Sequence, residues 1–207
     1  MAAKVWTTSD NGARTGNGND RVAYVKARHA AAVAVLREMG IGAVIAWAMA
    51  IALVAHWVRE GGWGRNEWRF NVGNIRARGW DGETVLLKGG DDPEPRPYRA
   101  YTSAEEGVRD AIRLASTGPT TRARPQGIYR PAWEHLLASG GTDGLGWYDR
   151  LMKAGWHPWS QDGLDEYRSI HRTVSGFVGH AAPLAGALLV VVVMGGLALG
   201  AGLVGRG

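Results

Sequence analysis

The run from Ile41 to Arg59 constrains this chain more than any other stretch. It is almost wholly apolar until His56 and then breaks into Glu60-Gly61-Gly62-Trp63-Gly64. At about eighteen residues it approaches the length of a membrane span. Its alanine-rich make-up and its abrupt charged and glycine-rich ending favour the central buried helix of a globular domain. Glu60 then stands at the C-terminal end of a buried helix, where the chain opens into a loop. Low dielectric disfavours an ionised carboxylate. The position is therefore expected to keep a carboxyl group protonated near neutral pH, the state that a general acid needs. Taken alone, a Glu at a helix end reads equally as a surface residue that closes the helix.

The rest of the chain reads as support for this corner. Residues 1–20 are polar and lack apolar periodicity, so a flexible arm is expected. They also lack the apolar core of a secretory signal. Val22, Val25, His29, Val33 and Leu36 recur at helical steps up to Gly40. Residues Gly61 to Asn74 read as loop. Ile75-Arg76-Ala77-Arg78 and Thr84-Val85-Leu86-Leu87 read as the arms of a hairpin about Gly79-Trp80-Asp81-Gly82. Gly89 to Pro97 is loop, and Tyr98 to Tyr101 is a brief extended piece. Helices are expected from Thr102 to Ala115, Arg130 to Ala138, Gly144 to Ala154 and Asp162 to Thr173, with a small-residue joint over 177–182. Pro183 to Val204 carries no charge and is long enough to cross a bilayer, so a C-terminal transmembrane helix is expected. The working domain spans 21–176.

Composition narrows the function. The chain has 207 residues, enough for one medium domain with appendages. It has no cysteine, which excludes disulfides and thiolate metal sites. His56 and Glu60 lie four apart on one helix and could form a metal pair. Without a second His on that helix they are not a zinc-protease signature, so no metal or other cofactor is expected. The net charge of +5 suits an anionic partner such as nucleic acid, a membrane surface or a bacterial wall. No dense Lys/Arg run appears, which argues against nucleic acid.

Several motifs now fall in order. Glu60-Gly61-Gly62-Trp63-Gly64 resembles the E-S-G-W-G signature of glucosaminidase-type peptidoglycan hydrolases (glycoside hydrolase family 73) and their lysozyme-like relatives. Phe70-Asn71-Val72-Gly73-Asn74-Ile75-Arg76 is similar to the segment that follows their catalytic helix. Trp80-Asp81-Gly82-Glu83 resembles the W-x-G turn of their small β-lobe. Tyr98-Arg99-Ala100-Tyr101-Thr102-Ser103 resembles their F-R-x-Y-x-S block, and Ile128-Tyr129 their late R-Y-A segment. The resemblance covers about residues 40–138.

The resemblance implies a mainly α, α+β lysozyme-like domain with a small β-hairpin lobe and a glycan strand in the cleft between lobes. It makes Glu60 the general acid that protonates the departing glycosidic oxygen. It puts a second carboxylate in the β-lobe, at Asp91 or Asp92, with Glu83 as runner-up. If none of these reaches the cleft, a single-acid lytic transglycosylase follows, in which the sugar's own 6-hydroxyl closes the ring. Tyr129 is implied at the reacting centre. Asn71 and Asn74 would hold the loop or contact sugar, Tyr101 would join the substrate contacts, and Trp63 would pack under the acid or face the glycan. Trp156-His157-Pro158-Trp159-Ser160 lies beyond the match and could bracket a glycan subsite or pack against the domain.

The expected partners are peptidoglycan strands, a lipid bilayer through the C-terminal helix, and further copies or virion and tail proteins. A membrane-anchored wall-cleaving enzyme of a virion or cell envelope is the expected function. A lysozyme-like module that holds glycan without cutting it is the alternative.

Overall fold

A computed structural model describes residues 3–15, 19–88, 94–120, 122–123 and 125–179. The elements in chain order are β1 (Val5–Trp6), α1 (Arg21–Glu38), α2 (Ala43–Gly61), β2 (Thr84–Leu87), β3 (Arg96–Arg99), α3 (Ala104–Thr117), α4 (Arg130–Ala138), α5 (Gly144–Lys153) and α6 (Gln161–Val178). Asp91, Asp92 and the apolar segment 183–204 lie outside the described residues.

The apolar run makes α2, and α2 is the axis of the fold. It is long and apolar enough to cross a bilayer. Here it packs against α1, α4, α5 and α6. Met49, Ala50, Ala52, Leu53, Val54 and Ala55 are fully enclosed. Four sides of cover explain why this helix is apolar all round, where a surface helix keeps a polar face. Gly62, at φ 55°, gives α2 a left-handed cap, and its N–H donates to the carbonyl of Val58. Asp20, Ser103, Asp143 and Ser160 cap α1, α3, α5 and α6 with side-chain oxygens that accept backbone N–H groups.

The β-lobe is one three-stranded sheet in the order β1-β2-β3. β1 runs parallel to β2, with Val5 opposite Thr84 and Trp6 opposite Val85. β2 and β3 are antiparallel, pairing Thr84 with Arg99 and Leu87 with Arg96. This corrects the expected hairpin. The partner of β2 is 96–99, and residues 75–77 instead border the far edge of β3. There the N–H of Arg99 donates to the carbonyl of Ile75 (2.9 Å) and that of Ala77 to Pro97 (3.0 Å). The Asn71 side chain reinforces this edge, accepting from the Ile75 N–H and donating to the Ile75 carbonyl.

Two further expectations change. Residues 3–15 are not a free arm. β1 joins the sheet, Ala13 is fully buried, and the carbonyl of Ala13 accepts from the N–H of Arg69 (2.7 Å). The joint expected over 177–182 begins later, since α6 continues to Val178 and is capped by Gly179. Val174 is buried, and the Phe177 ring lies 6.0 Å from that of Trp63. Apolar packing carries the helix through the small residues Ser175 and Gly176.

Candidate active site

The end of α2, the loop after it, the β-lobe and the α5–α6 connection enclose a cleft of about 930 Å³. Glu60 enters it from the last turn of α2, with its side chain 11% exposed. Asn74, at φ 47°, fixes the loop to this helix end: its side-chain amide donates to the carbonyl of Glu60 at 2.6 Å. The left-handed backbone there suits Asn better than most residues. Tyr129 lies on another wall. The N–H of Tyr129 donates to the carbonyl of Thr117, and its ring rests against Gly118, where φ is +68° and any Cβ would meet the ring at 2.3 Å. Burial pushes the Tyr129 hydroxyl pKa up.

The carboxylate of Glu60 is held from one side. Nε2 of His157, on the α5–α6 connection, lies 2.7 Å from Oε1. Arg59 approaches Oε1 to 3.6 Å and His56 Nδ1 to 4.0 Å. Oε2 accepts no hydrogen bond among the described residues. Below lies His56, fully buried, with neither ring nitrogen hydrogen-bonded. Its ring packs edge-on against Trp147 and Trp156, and Trp156 continues to Tyr129. Burial pushes the His56 pKa down to about 4, so this imidazole is neutral at physiological pH.

These contacts correct the expected protonation of the acid. Burial by itself pushes Glu60 up, as its place on an apolar helix suggests. The hydrogen bond from His157 and the positive charge of Arg59 outweigh it, and hold Glu60 below the ordinary carboxylate range. Glu60 is thus held as an ionised carboxylate, with the Arg59 guanidinium 3.6 Å away.

The other expected site residues separate into cleft and scaffold. Asn71 is buried, and its side chain is fully used: the amide donates to the carbonyls of Ile75 and Arg99, and the oxygen accepts from the N–H of Ile75. It shapes the loop and has no group left for sugar. Tyr101 is buried and donates its hydroxyl to Asp110 at 2.6 Å. Glu83 accepts from the Trp6 indole (2.8 Å) and lies 3.7 Å from Arg69, so it clasps the N-terminal strand and lines no part of the cleft. Trp63 does not pack under the acid. Its ring faces Phe177 and Arg21, on the side toward α1 and α6. Glu60, Asn74 and Tyr129 are thus the expected residues that the cleft brings together.

The cleft also holds residues the sequence reading did not select. Arg76, Arg78 and Lys88 are exposed on the β-lobe wall, with Trp68 and Tyr98 beside them. Glu60 is the one carboxylate among the described lining residues. His157 and Trp156 were flagged only as part of an aromatic cluster, and nothing in their spacing pointed to Glu60, 97 positions away.

A helical domain around one buried helix, a small sheet beside it and a carboxylate at the helix end in the groove between them define the lysozyme-like class. Within it, the chain shares its fold with the glycoside hydrolase domain from Salmonella typhimurium FlgJ. The match has a TM-score of 0.53 and 16% identity, over 82% of this chain and 98% of that domain. A C-terminally truncated form of that domain matches at 0.50 and 16%, over 76% and 99%. An N-acetylmuramoyl-L-alanine amidase from Staphylococcus aureus matches at 0.54 and 18%, over 88% of this chain and 51% of the amidase. Neither a protein-family model nor a curated protein matches the sequence.

Proposed function

We propose that the protein cleaves the glycan strand of bacterial peptidoglycan, with Glu60 as the general acid. The observation that carries this reading is the Glu60 carboxylate in the cleft, tethered through Oε1 and with Oε2 left for a substrate oxygen. Protonated on Oε2, it would deliver its proton to the glycosidic oxygen as the bond to the anomeric carbon breaks. The neighbouring fold, a glycoside hydrolase domain, supports the reading. So does the wall of Arg76, Arg78 and Lys88, whose charge complements the carboxylates of an anionic wall polymer. Tyr129 stands beside the reacting bond and Asn74 holds the acid's helix end.

The second carboxylate is Asp91 or Asp92 in this reading, a few positions after Lys88 in sequence, and it would activate water. Because Glu60 is the one acid among the described lining residues, a lytic transglycosylase is the second reading, in which the sugar's 6-hydroxyl replaces water. The uncharged run 183–204 supports a membrane anchor, and with it a place in a virion membrane, tail or cell envelope.

The test is digestion of purified peptidoglycan by the full-length protein in detergent micelles and by Glu60→Gln. The parent releases soluble muropeptides and the variant does not. Reducing sugar ends in mass spectrometry identify a hydrolase, and anhydro-muramic ends a transglycosylase. Binding without products from the parent would identify a glycan-holding module instead.

A further inference from the structure

The α5–α6 connection lies outside the motifs that define the site, yet it supplies the closest partner of the acid. We propose that His157 is the positioning residue of Glu60: it fixes Oε1, directs the acid's proton to Oε2, and stabilises the carboxylate left after proton transfer. This rests on Glu60 being the acid.

The geometry is specific. Nε2 lies at hydrogen-bond distance from Oε1, and the nearest approaches of Arg59 and His56 are to that same oxygen. Oε1 therefore takes the hydrogen bond of His157 and faces the Arg59 guanidinium, while Oε2 accepts no hydrogen bond among the described residues. A proton arriving on Glu60 goes to Oε2, because Oε1 already faces donors. His157 is itself set firmly. Trp156, its neighbour, is wedged between His56 and Tyr129, and the Trp156 N–H donates to the carbonyl of Leu151 (3.2 Å).

The Oε2–H bond of Glu60 breaks, an O–H bond forms on the leaving sugar, and the bond between that oxygen and the anomeric carbon breaks with its electron pair going to the oxygen. The oxocarbenium ion left at the anomeric carbon is closed by water, or by the sugar's own 6-hydroxyl, either of which gives up a proton as the new C–O bond forms. Negative charge appears on Glu60 where His157 already donates a hydrogen bond, which makes Glu60 a stronger acid and confines its protonated form to lower pH. The other groups facing the pair were placed above: His56 and Arg59 on α2, and Tyr129 at the start of α4. Tyr148 on α5 has its ring 5.8 Å from the Arg59 guanidinium, and Glu166 on α6 holds Arg59 Nε at 3.1 Å. None of them touches Glu60 Oε1 as closely as His157 does.

The experiment pairs His157→Gln with the parent, both full-length in micelles. Gln has neither the imidazole ring nor its reach, so the fixed Nε2–Oε1 contact is lost while a polar group remains. Two readouts are taken: the pH profile of kcat on peptidoglycan, and the titration of the Glu60 side-chain carboxyl followed by carbon-13 NMR. In the variant, the Glu60 titration moves to higher pH. The alkaline limb of kcat follows it, so that kcat at pH 7 relative to pH 5 rises severalfold while KM is little changed. Superimposable profiles and titrations would overturn the proposal. So would a uniform fall in kcat at every pH with an unmoved titration, which is what a purely structural His157 gives. If the parent itself cleaves nothing, the proposed function fails, and the NMR titration still decides whether His157 governs Glu60.

Discussion

Two carboxylates seven positions apart, Glu60 and Glu67, are held in different ways. Glu67 is completely buried. Both its oxygens are saturated: Arg28 binds it through Nε and Nη2, the Tyr24 hydroxyl donates at 3.0 Å, and the Thr15 hydroxyl lies at 3.5 Å. Glu60 is nearly as deep but has one oxygen held and one left open to a cleft. Depth is common to both. What differs is the unfilled hydrogen-bonding capacity. A charge closed on all sides holds elements together, whereas one closed on a single side can act on something else.

The sharpest way to break this contrast is to neutralise each in turn. Glu60→Gln should lower the rate of peptidoglycan cleavage about 10³-fold, the order of a lost general acid, with only a small fall in unfolding temperature from the lost ionised carboxylate. A variant that still clears wall material at the parental rate would remove Glu60 from the chemistry. Glu67→Gln should do the reverse. Leaving Arg28 buried without its counter-ion should cost about 3–5 kcal/mol in urea unfolding, while protein that remains folded still cleaves. If Glu67→Gln is as stable as the parent, the two corners are not different in kind.

Acid should act next. His56 is neutral in the fold with its pKa near 4, below the ordinary value of about 6.5. Below pH 6.5 the unfolded chain takes up a proton that the folded chain refuses. Stability should therefore fall as pH drops from about 6.5 to about 4, by up to about 3 kcal/mol. The lowered pKa of Glu60 has the same consequence further down, since its contribution is present above the unfolded carboxylate pKa and lost as pH falls through the folded value. Unfolding of His56→Gln across that range should show a shallower slope. The smallest effect sharpens the cleft side alone. Arg78→Gln with Lys88→Gln should raise KM for wall glycan a fewfold, about 1 kcal/mol, and reduce its dependence on salt.

The helices were legible because their signals are local. The three- and four-residue steps of α1, the Ser103 cap of α3 and the unbroken apolar run of α2 all sit within a few positions of what they determine. The place of Glu60 in the cleft was legible for the same reason, and that of Asn74 and Tyr129 through the resemblance. The protonation of Glu60 was not, because it depends on His157, which returns from a distant connection. The sheet misled for a related reason. Ile75–Arg78 looks like the partner of β2, but β3 arrives from later in the chain, takes that place, and leaves residues 75–77 bridged to its far edge. Residues 3–15 look disordered by composition, yet backbone pairing with Arg69 and Thr84 and the burial of Ala13 order them, and polar composition carries no trace of that.

Those opening residues have a practical consequence. Thr84 N–H reaches the carbonyl of Lys4, and Trp6 lies between Glu83 and the Arg69 guanidinium. Trimming the gene to begin at the first long helix would strip β2 of its neighbour and bare a row of unpaired amides, the kind of margin along which proteins stick to one another. Recombinant versions meant for crystallisation should keep the polypeptide from before Lys4, and a protease that nicks there should produce turbidity before it produces smaller fragments.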